Sequence, residues 1–164
     1  MRIIGIDPGT GILGWGVIDV QGGGKCTLVE AGVIRTPVKQ EDSKRLITIY
    51  DELKELVKET KPSIVSVEKL FFASNVTTAM SVSQARGVVL LLCEQENLEL
   101  YEYTPLQIKQ ALTGYGRADK NQIQEMVKGV LRLHEIPKPD DAADALAAAI
   151  CCSFEALSKV RERS

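Results

Sequence analysis

The chain has 164 residues, of which 45% are hydrophobic and 26% charged, and its formal net charge is −2. That is enough chain for one domain with its own core, and too little positive charge for a general cationic coat for nucleic acid. No apolar run approaches the ~20 residues of a membrane span and no secretory h-region opens the sequence, so a cytoplasmic protein without a membrane partner is expected.

Arg2-Ile3-Ile4-Gly5-Ile6 has the branching of a buried strand and ends on Asp7. Pro8-Gly9-Thr10-Gly11 turns the chain, and Trp15-Gly16-Val17-Ile18 returns as a hairpin partner. Gly22-Gly23-Gly24 marks another turn, and Thr27 to Ile34 reads as a third antiparallel strand. From Ser43 the period becomes helical through Leu46, Ile49, Leu53, Leu56 and Val57, with Lys44, Arg45 and Lys54 on the polar side. Ile64 to Val67 is a short buried strand that runs straight into a second acid, Glu68.

Phe71 and Phe72 follow in an expected loop, and Asn75 to about Glu96 reads as a long helix. Leu98 to Tyr103 is the next strand. Thr104-Pro105 starts a short helix to Leu112, with a capping hydroxyl and proline in the first turn. Asp119 caps a further helix after the Gly114-Tyr115-Gly116-Arg117 break, and Asp140 is expected to cap a last one rich in Ala and Leu. The order β-β-β-α-β-α-β-α-α-α predicts an α/β fold: a five-stranded mixed sheet, three antiparallel strands then two parallel, flanked by helices. Residues 1–158 form a single domain in this reading, and residues 159–164 a frayed tail.

Four cysteines (Cys26, Cys93, Cys151, Cys152) lie in no CxxC or CxxH spacing, so buried free thiols are expected rather than zinc. His134, the only histidine, follows an amphipathic helix and reads as a surface residue. Asp7 alone could be a turn-initiating residue before Pro-Gly, and Asp140 and Asp141 are explained by the helix dipole. Asp144 is not: it lies beyond the first turn, on the same helical face as Asp141, among alanines. Two strands ending in acids and one helix offering two more make an all-oxygen set suited to Mg²⁺ or Mn²⁺. Such a set can hold two ions about 4 Å apart for phosphodiester hydrolysis.

Five motifs share their order with one family: Ile4-Gly5-Ile6-Asp7-Pro8-Gly9-Thr10, Gly14 to Ile18, Glu68-Lys69-Leu70-Phe71, Gln84-Ala85-Arg86-Gly87 and Asp141 to Ala147. In these the chain resembles the RuvC family of Holliday-junction resolvases, from residue 2 to about 154. The resemblance implies an RNase H-like fold, a homodimer, and Mg²⁺-dependent cutting of two opposed strands at a four-way DNA junction during recombination and repair. It implies that Asp7, Glu68, Asp141 and Asp144 are the catalytic, metal-holding acids, with two Mg²⁺ per site and Mn²⁺ as a substitute. It further implies that Phe71 stacks on a base near the crossover, that Lys109 and Lys120 contact DNA, and that RuvA–RuvB is a partner. Lys69 beside Glu68, the triple glycine and the charged end of the chain depart from the family's pattern and leave its four acids intact.

Arg86, Lys109, Arg117 and Lys120 are the cations expected to meet DNA, while Lys128 and Arg132 read as a solvated face. The long helix from Asn75 is the expected dimer interface, because its apolar positions spread beyond a single stripe. The competing readings are an ATP-binding domain of the actin and sugar-kinase type, a junction-binding module without catalysis, and a nuclease for RNA–DNA hybrids.

Overall fold

β1 (Arg2–Asp7) is buried on both sides, as its unbroken apolar run requires of a central strand. The computed structural model describes residues 1–69 and 76–162. β1 pairs antiparallel with β2 (Ile12–Val20), which pairs antiparallel with β3 (Cys26–Arg35). On its other side β1 pairs parallel with β4 (Ile64–Glu68), and β4 with β5 (Glu99–Tyr103), giving the order β3-β2-β1-β4-β5. This is the mixed sheet expected from the sequence.

The two faces carry separate apolar clusters. Ile4, Ile6, Val65 and Val67 pack against α1 (Asp42–Thr60) and α2 (Val76–Gln95) through Ile49, Leu53, Ala85 and Val89. Ile3, Ile18 and Ile64 pack against α5 (Asp140–Glu162), with α3 (Pro105–Thr113) and α4 (Lys120–Leu131) set against that helix. Thr104 and Asp119 close full capping boxes with Gln107 and Gln122, so α3 and α4 begin where the sequence placed them.

Glycine and alanine bring α5 unusually near the sheet. A Cβ on Gly5 would lie 1.9 Å from the Ala145 carbonyl oxygen, and one on Gly14 would lie 2.0 Å from that of Asp141. On the helix side Ala142, Ala145, Ala148 and Ala149 are fully buried. The obstruction at Gly5 is backbone, which cannot swing aside. Gly5→Ala is therefore expected to destabilise the protein by about 3 kcal/mol or more, measured by urea denaturation.

Several boundaries differ from expectation. β3 starts at Cys26 and ends at Arg35, and α2 is described from Val76 to Gln95. Asp140 is not a free cap: its carboxylate accepts from Gln124 Nε2 at 3.0 Å and pairs with Lys120 at 3.1 Å. The last helix continues to Glu162, and Lys159 pairs with Glu155 at 3.0 Å, so residues 159–162 are helical where fraying was expected. Arg45 is not on a solvated face; it is largely buried and donates to Thr36. All four cysteines are free and buried, and His134 is exposed.

Candidate active site

Strand parity aims two acids at the same face. Along β1, Ile3 and Gly5 face α5, so Asp7 does too; along β4, Ile64 and Ser66 face α5, so Glu68 follows. Ser66 fixes this orientation by donating to the Ala148 carbonyl at 2.7 Å. The parallel register pairs Ile6 with Val67, which makes Asp7 and Glu68 neighbours at adjacent strand ends. Asp7 also stands opposite Gly14, and the Asp141 backbone lies directly over that glycine. The first turns of α5 thus deliver Asp141 and Asp144 above the strand ends.

The electrostatics record that convergence. Asp7 is pushed up to about 8, first by burial and then by the charges of Glu68, Asp144 and Asp141, with Lys120 partly opposing. Glu68 is raised by burial and by Asp144, against the pull of Lys109 and Lys120. Asp144 is raised by burial, although Lys120 stands 3.4 Å from it. As the side chains stand, no three His, Cys, Asp or Glu among the described residues enclose one point as metal ligands. Glu68 and Asp144 open onto a cleft of about 280 Å³, which they line together with Lys109, Lys120, Ile108 and Ile123.

The expected cations divide. Lys109 and Lys120 lie in the cleft. Arg117 is exposed on the loop before α4, beside exposed Tyr115. Arg86 instead donates through Nε to Glu102 at 2.8 Å, a half-buried pair that joins α2 to β5. Lys128 pairs with Glu125, as a solvated face would. Phe71 lies outside the described residues.

The sequence did not by itself disclose a polar group three residues along from Asp7, in which buried Thr10 and Thr36 are joined by Arg45 and by half-exposed Ser81. Its signals were present: a hydroxyl in the Pro-Gly turn, and another just before Pro37.

A family model described as crossover junction endodeoxyribonuclease RuvC matches residues 3–152. The chain belongs to the RuvC family. A crossover junction endodeoxyribonuclease RuvC from Desulfitobacterium hafniense is 56% identical over 151 residues, 92% of this chain and 91% of its own length. Among solved structures, Thermus thermophilus RuvC superposes with a TM-score of 0.90 at 37% identity, covering 97% of both chains. The same protein in complex with a Holliday junction substrate gives 0.88 at 35%, covering 96% of each. The sheet and its helices therefore form an RNase H-like fold, and the family is one of metal-dependent nucleases. The donor set at the strand ends fits such a role: it is all carboxylate, without His or Cys, and holds more negative charge than burial tolerates.

Proposed function

We propose that the chain resolves four-way DNA junctions by paired, symmetric phosphodiester hydrolysis in recombination and repair, with Asp7, Glu68, Asp141 and Asp144 as its catalytic and metal-holding groups. The supporting observation is that Glu68, Asp144 and Asp141, distant in sequence from Asp7, all bring their charges to bear on it at one end of the sheet. Two Mg²⁺ per site, with Mn²⁺ as substitute, suit the donors. When bound, the ions supply charge stabilisation at the attacking and leaving oxygens.

The protein's part is orientation. The strand ladder fixes the backbone of Asp7 and Glu68 and the helix that of Asp141 and Asp144, so side-chain rotation alone would bring the carboxylates round a cation. Lys120 holds Asp140 and Asp144 in place, and Lys109 sits beside Glu68, so both ammonium groups flank the position of a scissile phosphate. With exposed Arg117 they form the phosphate-contacting set. Phe71 is assigned the stacking role at the crossover. Arg86 serves DNA only by giving up Glu102, so its part in binding is the smaller one. Replacing Arg117 by Ala is expected to weaken junction binding for every sequence and to lower the salt-dependence slope by about 0.9, read from titrations at several salt concentrations.

Paired cuts call for two copies of the site related by a two-fold axis. α2 offers the surface: Met80, Gly87 and Leu91 share one exposed face, and Met80 and Leu91 are 63% and 55% exposed. Leu91→Arg is expected to convert a dimer to a monomer in sedimentation equilibrium. Cytoplasmic action and hand-over of the junction by RuvA–RuvB complete the reading. It is tested on a synthetic mobile four-way junction. Paired nicks in opposed strands with Mg²⁺, and none with chelator, are expected. Preferential cutting of an RNA–DNA hybrid would overturn it.

A further inference from the structure

We infer that Thr36 and Arg45 are positioning residues for the reaction: through Thr10 they clamp the backbone just after Asp7, and Ser81 ties that clamp to α2. The inference rests on Asp7 belonging to the cutting centre, as proposed above.

Thr10 and Thr36 are only 5% and 7% exposed, and the Arg45 side chain 14%. Arg45 Nε donates to Thr36 Oγ1 at 2.9 Å. With that lone pair taken, the Thr36 hydroxyl directs its own proton to the Thr10 carbonyl. The Thr36 N–H donates to the Gly11 carbonyl at 3.0 Å, and the Thr10 hydroxyl is bonded to that of Ser81. Thr10 is thus gripped at its carbonyl from the end of β3 and at its hydroxyl from α2.

Burying a guanidinium is costly, and here its nearer partner is a neutral hydroxyl; Asp42 is 3.7 Å away and mostly solvated. The hairpin does not need this arrangement for closure, because the ladder already pairs Asp7 with Gly14. What the clamp adds is control of the segment between. Pro8 is buried, its ring fixes its own φ, and it restricts Asp7 before it. Gly9, the flexible link to Thr10, is packed so closely on the Ile12 backbone that a Cβ there would lie 2.2 Å from the Ile12 carbonyl oxygen. A displacement of Thr10 therefore has little play to spend before it reaches Asp7. A metal-holding group tolerates only about 0.5 Å of such displacement. Ser81 extends the control, since α2 is the element that follows Glu68 in the chain.

Three variants test this: Thr36→Val, which keeps the shape and removes the hydroxyl; Thr36→Ser, which restores it; and Ser81→Ala on a half-exposed helix face. For Thr36→Val, junction turnover is expected to fall about tenfold to a hundredfold, with junction affinity in chelator unchanged. Calorimetric Mn²⁺ titration without DNA should show affinity falling by a similar factor. Thr36→Ser should recover both quantities, and Ser81→Ala should shift both in the same direction by less. Wild-type turnover and Mn²⁺ affinity in Thr36→Val and Ser81→Ala, below their melting temperatures, would overturn the assignment and leave the group a turn-closing device. Should Thr36→Val not fold, Ser81→Ala decides by the same two readings. Failure of the wild type to cut a junction would count against the proposed function, while the Mn²⁺ comparison would still judge the clamp.

Discussion

Asp7→Asn is expected to abolish junction cleavage and leave junction binding intact. Asp7 is the acid on which the other three act together, and its position is fixed by both the strand ladder and the register with Gly14. Asparagine keeps its shape and one oxygen but not its charge, so cation binding is lost while packing is retained. Loss of a group of this kind costs roughly a thousandfold or more in rate. Binding should hold or tighten in chelator, because one negative charge fewer faces the phosphate. Single-turnover cleavage and a gel-shift titration measure the two quantities. Cleavage within tenfold of wild type would remove Asp7 from the chemistry.

The second large effect is on stability. With its carboxyl at about 8 in the folded protein against 3.8 ordinarily, Asp7 keeps a proton that the unfolded chain has already released. The folded state then binds more protons between these values, so stability falls as pH rises. This contribution is fully present below about pH 4, declines through the neutral range and is exhausted above about pH 8. Glu68 and Asp144 are raised as well and add to the decline. At about 1.4 kcal/mol per pH unit the loss reaches a few kcal/mol, a large share of a typical domain's stability. Asp19 and Glu155 act oppositely: held low by Arg2 and by Tyr103, they favour folding above the usual carboxylate range and weaken it in acid. Metal-free protein should therefore be most stable in mild acid. Urea denaturation in chelator from pH 5 to 9 should show the decline, Asp7→Asn should flatten it, and Mg²⁺ should reverse it most strongly above pH 8.

The sequence was most informative where one local rule decides the outcome. Short apolar runs that stop at Asp7 and Glu68 mark both as acids at the ends of buried strands, and helical spacing puts Asp141 and Asp144 on one face. The capping boxes at Thr104 and Asp119 were equally local. What lay hidden depends on contacts between remote segments. Gly5 and Gly14 pass in the sequence as ordinary members of their strands, and only the backbone of α5 laid over them shows why no side chain fits. Asp140 reads as a cap until Lys120 and Gln124 claim its carboxylate. Arg45 falls on the polar side of its helix by periodicity, yet the turn between β1 and β2 and the end of β3 enclose it. Arg86 looks like a free cation until β5 brings Glu102 alongside.

The central claim is that Asp7, Glu68, Asp141 and Asp144 form one cation-binding centre. Anomalous diffraction from Mn²⁺-soaked crystals tests it most directly. A strong peak bounded by these carboxylates, lost in Asp7→Asn crystals soaked in the same way, is the expected result. A fully soaked wild-type crystal with its manganese elsewhere, and none between the ends of β1 and β4 and the start of α5, would contradict it.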